Sequence, residues 1–341
     1  MMQINHIKYI QISNARGKLN QLYKHIELNF GKLAEPFVLH SLNEELTAGV
    51  WALLYETVLV DGKVKRSLKE AIATSISEIN KCNYCVDAHT IMVFGTERAL
   101  QNTITDIKSG KTEPRSEEDK TILWALKNLD FDSPIILNPP FNKEEAPEII
   151  GTAVLFHYIN RMITLFAGDT PLPTTKMRGI ILNLVSKYVF GKAIRKEKKA
   201  GESLVFIEEA INQKGFECAA ESSEIQIVFQ FFKQQTEHNI HQILSPELIT
   251  LLKNLATKLE LLQSGFGNKN LENFFTKVKL SEREIAEFCF LTMFDTHKIY
   301  EDHFHKLKQK LTDAEILQVA AFVSLLVAEN IGAGLFSNVK K

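Results

Sequence analysis

Between Glu70 and His89 the chain carries Cys82 and Cys85, three positions apart, with His89 four residues beyond Cys85. Two thiols at that spacing can cycle between dithiol and disulfide. An imidazole one helical turn further on can take a thiol proton, and a carboxylate can orient that imidazole or pass the proton onward. At about 100° per residue, Cys82, Cys85 and His89 fall within an arc of roughly 60° on one helix face. In an unbroken helix Glu70 would lie about 18 Å from Cys82 along the axis, out of reach. It joins the group only if the chain turns near Asn80-Lys81 and a new helix starts at Cys82-Asn83, which two asparagines flanking the first cysteine favour. Thiols in a first helical turn face unpaired N–H groups and the positive dipole end, which stabilises thiolate. Residues three apart on a helix have Cβ atoms about 5 to 6 Å apart, against roughly 3.8 Å in a relaxed disulfide, so a bridge there is feasible but strained.

Each residue also has a plainer reading. Ser67-Leu68-Lys69-Glu70 has the form of a capping box, repeated at Ser281-Glu282-Arg283-Glu284. His89 alone could be a satisfied core histidine. Cys82, Cys85 and His89 could form part of a zinc site, but three ligands on one helix without a second Cys/His pair are a poor zinc signature, and no metal is expected. Cys218 and Cys289 stand apart in partly apolar helical surroundings and read as packing thiols.

The elements that must position these groups are helices. Glu44 to Val60, Pro147 to Phe166 and Asp313 to Leu326 show apolar residues at helical spacing, and the fold class is all-α. Only Glu224 to Phe232 is a plausible strand, and it reads equally as a buried helix. Asn138-Pro139-Pro140, Gly168 to Pro173 and Gly265 to Asn268 are turns or loops. The basic run Gly191 to Gly201 reads as a solvated helix end or linker.

With 341 residues, the chain is long enough for two domains or one duplicated unit. Forty Lys and Arg against 41 Asp and Glu leave a formal charge of -1, which gives no general pull toward nucleic acid or an anionic membrane. The first residues lack the pattern of a signal peptide. The apolar run Val319 to Ala328, broken only by Ser324, falls far short of the roughly 18 to 20 residues that span a bilayer. A cytoplasmic protein is expected, and in a reducing compartment Cys82 and Cys85 point to redox chemistry or metal rather than to a structural staple.

Laid without gaps over Val64 to Val93, Val278 to Leu307 matches Val64/Val278, Lys65/Lys279, Ser67/Ser281, Glu70/Glu284 and His89/His303, while Cys82 falls on Thr296 and Cys85 on Ile299. Both segments precede an acidic helix start, Ser116 to Asp119 and Thr312 to Glu315. A degenerate duplication is the expectation, with domains at 1–170 and 171–341 and with the second copy lacking the thiols.

The spacing Glu70, Cys82, Cys85, His89 resembles the active-site signature of the AhpD-like alkylhydroperoxidases within the carboxymuconolactone decarboxylase superfamily. So do Glu35 to His40, Ala48 to Thr57, Cys85 to Thr90 and Phe156 to Met162. The resemblance implies an AhpD-like helical fold, with the degenerate copy at 171–341, and a thiol-dependent peroxidase or disulfide reductase in antioxidant defence. By position, Cys82 and Cys85 carry over as the redox pair, and His89 and Glu70 as the proton relay. No bound cofactor is implied. The electron donor would be an external thiol or a lipoyl-bearing protein, and the electrophile an organic hydroperoxide or a partner peroxiredoxin's disulfide. Some members of the family carry a histidine between the cysteines; Tyr84 stands there in this chain, and a phenol is a poor base at neutral pH, so any relay runs through His89 and Glu70. Cys85 is favoured as the activated thiol. A homo-oligomer is expected. The alternatives are a decarboxylase-type lyase, which does not require the cysteine pair, and a non-catalytic helical interaction module.

Overall fold

The computed structural model describes residues 2–170, 184–208, 215–263 and 268–339. Among these residues the regular structure is helical, with a single isolated bridge between Ile4 and Ala167 and no strand. The principal helices are α1 (Gly17–Phe30), α2 (Glu44–Leu54), α3 (Arg66–Ile79), α4 (Asn83–Thr96), α5 (Arg98–Lys108), α6 (Glu117–Leu126) and α7 (Ala146–Phe166). After them come α8 (Ser223–Glu237), α9 (Pro246–Ala256), α10 (Arg283–Phe294) and α11 (Asp313–Phe336). The chain is all-α. Glu224 to Phe232 lies inside α8, where Ile225, Val228, Phe229 and Phe232 recur at helical spacing on a buried face and Ser222 caps the first turn. The loop readings at Gly168 to Pro173 and Gly265 to Asn268, and the boundary drawn at 170/171, fall partly on or against residues outside the described ones.

Local signals start several helices. Asn43 accepts from the Glu45 and Leu46 amides at the head of α2. The acidic starts at Ser116 and Thr312 are capping boxes closed by Asp119 and Glu315. The Ser-x-x-Glu segment at Ser67 is not one. Lys65 is the residue preceding α3, the Ser67 hydroxyl donates to Glu97 at 2.9 Å, and Glu70 points into the core. Burial decides against capping here, because a carboxylate held inside the core is drawn to charged partners. At the corresponding Ser281, Glu284 is likewise no capping partner and pairs with Lys310 at 2.6 Å.

The centre of the molecule is α7, which packs along α11 and α3 and touches α2 and α4. The α7–α11 approach is close: a Cβ on Gly332 would sit 2.4 Å from Val154, so only glycine permits this spacing. Arg161 on α7 donates through Nε and Nη2 to the Met293 carbonyl at 3.2 and 3.0 Å, binding α10 to the same helix. By length and mean hydropathy α7 and α11 are each apolar enough to cross a membrane, although no run of purely apolar residues in the sequence is long enough. In this fold their apolar faces are spent on one another and on the neighbouring helices, and 94% of the most apolar stretch of α7 is buried.

Candidate functional site

Helices α3 and α4 form an antiparallel hairpin. Its turn is Asn80-Lys81, with Lys81 in the left-handed region at φ 58° and the Cys82 amide donating to the Ser77 carbonyl at 3.0 Å. Cys82 immediately precedes α4, and Cys85 lies in its first turn. This is the reversal Glu70 needs. Folded back along α3, its Oε2 lies 2.7 Å from His89 Nδ1, and its Oε1 lies 3.2 Å from Arg66 Nε. Glu70 is fully buried. Burial alone would raise its pKa, but hydrogen bonds and charge from His89 and Arg66 outweigh that and hold the carboxyl below its ordinary value. An ionised Glu70 accepts the Nδ1–H of His89, which leaves Nε2 as the basic nitrogen.

All four cysteines are free and buried. The thiols of Cys82 and Cys85 are neighbours that influence each other's ionisation. Burial pushes the Cys85 thiol well above its ordinary pKa, and Cys82 adds to the rise; the polar Asn160 side chain opposes it. Burial of Cys85 thus works against the thiolate that a helix start favours. Cys218 and Cys289 lie apart from this pair, and burial raises both thiols, Cys218 to about 12. Among the described residues no three His, Cys, Asp or Glu side chains gather in a metal-binding arrangement, so the zinc alternative gains no geometric support.

Cys85 and His89 both line a cavity of about 430 Å³, and Cys82 does not. Its walls are mostly apolar and include Phe30, Phe37, Phe156 and Phe190. The His89 ring stands edge-on to Phe156 at 4.5 Å. Tyr84, between the cysteines, donates to Glu35 Oε2 at 2.6 Å and has its own pKa raised by burial and by that carboxylate. It is an anchor rather than a base.

Several residues at the site escaped sequence reasoning. Asn160 is 2% exposed; its Nδ2 donates to Ser77 Oγ at 3.1 Å and its Oδ1 accepts from Asn80 Nδ2 at 2.9 Å. Asn80 Nδ2 also lies 3.1 Å from His157 Nδ1, whose Nε2 faces Asn128 Oδ1 at 2.8 Å. Burial holds His157 well below its ordinary pKa, so it is neutral and its Nε2–H is the donor to Asn128. The available signal was a run of polar residues, His157, Asn160 and Arg161, inside an otherwise apolar α7. The basic run is only partly solvated: Ala193 and Lys198 turn inward, and Arg66 Nη1 reaches the Ile194 carbonyl at 3.5 Å. Burial and the nearby Arg66 and Lys196 push Lys198 down to about 8. The residues matched to the relay in the second half do not meet. Glu284 pairs with Lys310, and His303 lies 4.0 Å from Glu287.

No family model matches the chain. The sequence is similar to that of a bacterial alkyl hydroperoxide reductase. The relative, alkyl hydroperoxide reductase Rv2159c of Mycobacterium tuberculosis (strain ATCC 25618 / H37Rv), is 26% identical over 335 residues, which cover 97% of this chain and 95% of the relative. The likeness is consistent with the AhpD-like resemblance, and it covers nearly the whole chain rather than only the segment that carries Cys82 and Cys85.

Proposed function

We propose that this chain is a thiol-dependent hydroperoxidase in which Cys85 attacks and Cys82 resolves. The observation that carries the reading is that Cys85 and His89 face one cavity, with Glu70 behind the imidazole and Cys82 beside the attacking thiol. The similarity to an alkyl hydroperoxide reductase supports it in broad terms.

His89 Nε2 takes the Cys85 proton when a peroxide is bound, which offsets the desolvation that keeps the thiol neutral at rest. The Cys85 thiolate attacks the terminal peroxide oxygen. The O–O bond breaks, an S–O bond forms, and the alkoxide leaves as the alcohol with the proton held on His89. Cys82 then attacks the sulfenic sulfur of Cys85, forming the S–S bond and releasing water. Two electrons pass from two thiols to one hydroperoxide, and an external dithiol, of which a lipoyl group is one kind, restores the pair by exchange.

The test is a thiol count on reduced protein with Cys218 and Cys289 replaced by serine. One equivalent of cumene hydroperoxide should remove two thiols. With Cys82→Ser the same addition should leave Cys85 as a trappable sulfenic acid, and with Cys85→Ser no thiol should be lost. Retention of both thiols in the parent protein defeats the proposal.

A further inference from the structure

A second cavity, of about 250 Å³, lies where the Asn80-Lys81 turn, α7 and the end of α10 meet. It shares no lining residue with the cavity over Cys85. Its lining combines Asn80, Asn160 and Arg161 with Thr292, Met293 and Asp295 from the later part of the chain. At about 30 Å³ for each water-sized group, it has room for roughly eight such groups.

The polar lining has unmet capacity of one kind. Arg161 is only 8% exposed, and among the described residues it is paired with no carboxylate. Its Nε and Nη2 donate to the Met293 carbonyl and its Nη1 to the His157 carbonyl, and each Nη keeps a second N–H without a protein partner. Burial pulls the guanidinium down to about 10, and no neighbouring acid counters it. Thr292 is wholly buried, and its hydroxyl has no hydrogen-bond partner. Lys81 and His297 stand exposed at the rim. The one acid in the lining, Asp295, is tied to Lys298 at 3.0 Å. A buried cation without a counter-ion and a buried hydroxyl without a partner are both costly to leave as they are. A carboxylate answers both, because its oxygens accept from the free guanidinium N–H groups and from the hydroxyl. The rest of the wall includes Ile79, Leu129, Leu262 and Phe294, which suit a short apolar body better than a compact inorganic ion.

We propose that this second cavity is a binding site for a small organic carboxylate with a short apolar tail, held by Arg161 and Thr292 at its base and by Lys81 at its rim. None of Cys82, Cys85 and His89 lines it, so the inference holds whether or not those thiols reduce peroxides. The probe is sodium hexanoate, titrated calorimetrically into the full-length reduced protein at pH 7 and low ionic strength. Hexanoate should bind with a negative heat-capacity change, and hexan-1-ol and inorganic phosphate should each bind at least tenfold more weakly. Thr292→Val replaces the hydroxyl by a methyl of similar shape and should weaken hexanoate binding at least threefold without lowering the urea midpoint of the ligand-free protein. Lys81→Asn keeps a residue that tolerates the left-handed turn and should weaken binding by a similar factor.

Absence of hexanoate binding overturns the site. Binding of hexan-1-ol as tight as that of hexanoate shows an apolar cavity with no use for the charge, and binding of phosphate as tight shows an inorganic anion site; either result defeats the carboxylate class. Hexanoate affinity left unchanged in both folded variants places the ligand elsewhere and overturns the assignment to this cavity.

Discussion

At the scale of single residues, the unusual feature is a buried thiol, the proposed nucleophile Cys85, whose surroundings oppose its ionisation. Cys85 has two sources of help. One is His89, set by Glu70; the other is the polar Asn160 side chain, which lowers the thiol's pKa and is held in place by Ser77 and Asn80. Asn160→Asp is nearly isosteric and keeps the acceptor that Asn80 uses, but it exchanges a neutral amide for a negative charge. The pH midpoint for iodoacetamide labelling of Cys85, measured with Cys218 and Cys289 replaced, should move up by about 1 unit or more. A role confined to packing would leave that midpoint where it was. Glu70→Gln removes the charge behind His89 and should lower peroxidase kcat by about 10²-fold or more, the range found for lost acid–base assistance.

At the scale of elements, the α3–α4 hairpin decides whether the site exists. Lys81 at φ 58° makes the reversal and puts Cys82 at the mouth of α4. A lysine tolerates that conformation at modest cost, whereas a β-branched side chain does not. Lys81→Val should therefore lower unfolding stability by about 1 to 2 kcal/mol, read as a lower urea midpoint at unchanged slope, and should slow peroxide reduction by disturbing the Cys82–Cys85 contact. Part of this hairpin was legible. Cys82, Cys85 and His89 lie close in sequence, and asparagines beside the first cysteine marked a turn. Glu70 could be placed only conditionally, because a Ser-x-x-Glu segment looks the same whether its carboxylate caps a helix end or enters the core. Asn160 and Asn128 lay beyond local pattern, since they reach the site from α7 and from beyond α6 across wide separations in sequence.

At the scale of the whole molecule, α7 carries buried polar groups that couple the site to stability. His40, on the loop before α2, donates from Nδ1 to the Pro36 carbonyl at 2.8 Å and meets the Tyr158 hydroxyl at 2.7 Å; burial pushes it down to about 4. His157 is held low in the same way. As pH falls from 6.5 toward about 4, the unfolded chain takes up a proton at each of these histidines and the folded chain does not. Stability should thus be full above pH 6.5 and fall below it, by up to about 1.4 kcal/mol per pH unit for each histidine. Urea unfolding at pH 7.0, 6.0 and 5.0 checks this, and His40→Gln should flatten the dependence.

Helical periodicity and breaker positions determined the all-α class, and residue type with short-range spacing determined which thiols and which histidine could work together, because both properties are set by the local chain. Two things needed the tertiary structure. The first is that Glu70 and Asn160 reach the histidine and the sulfur, which depends on how α3, α4 and α7 pack. The second is that Cys85 is buried against a largely apolar cavity, partly walled by Val185, Val189 and Phe190, so that desolvation opposes its ionisation. Burial is a property of the whole packed chain, and no stretch of sequence around Cys85 carries it.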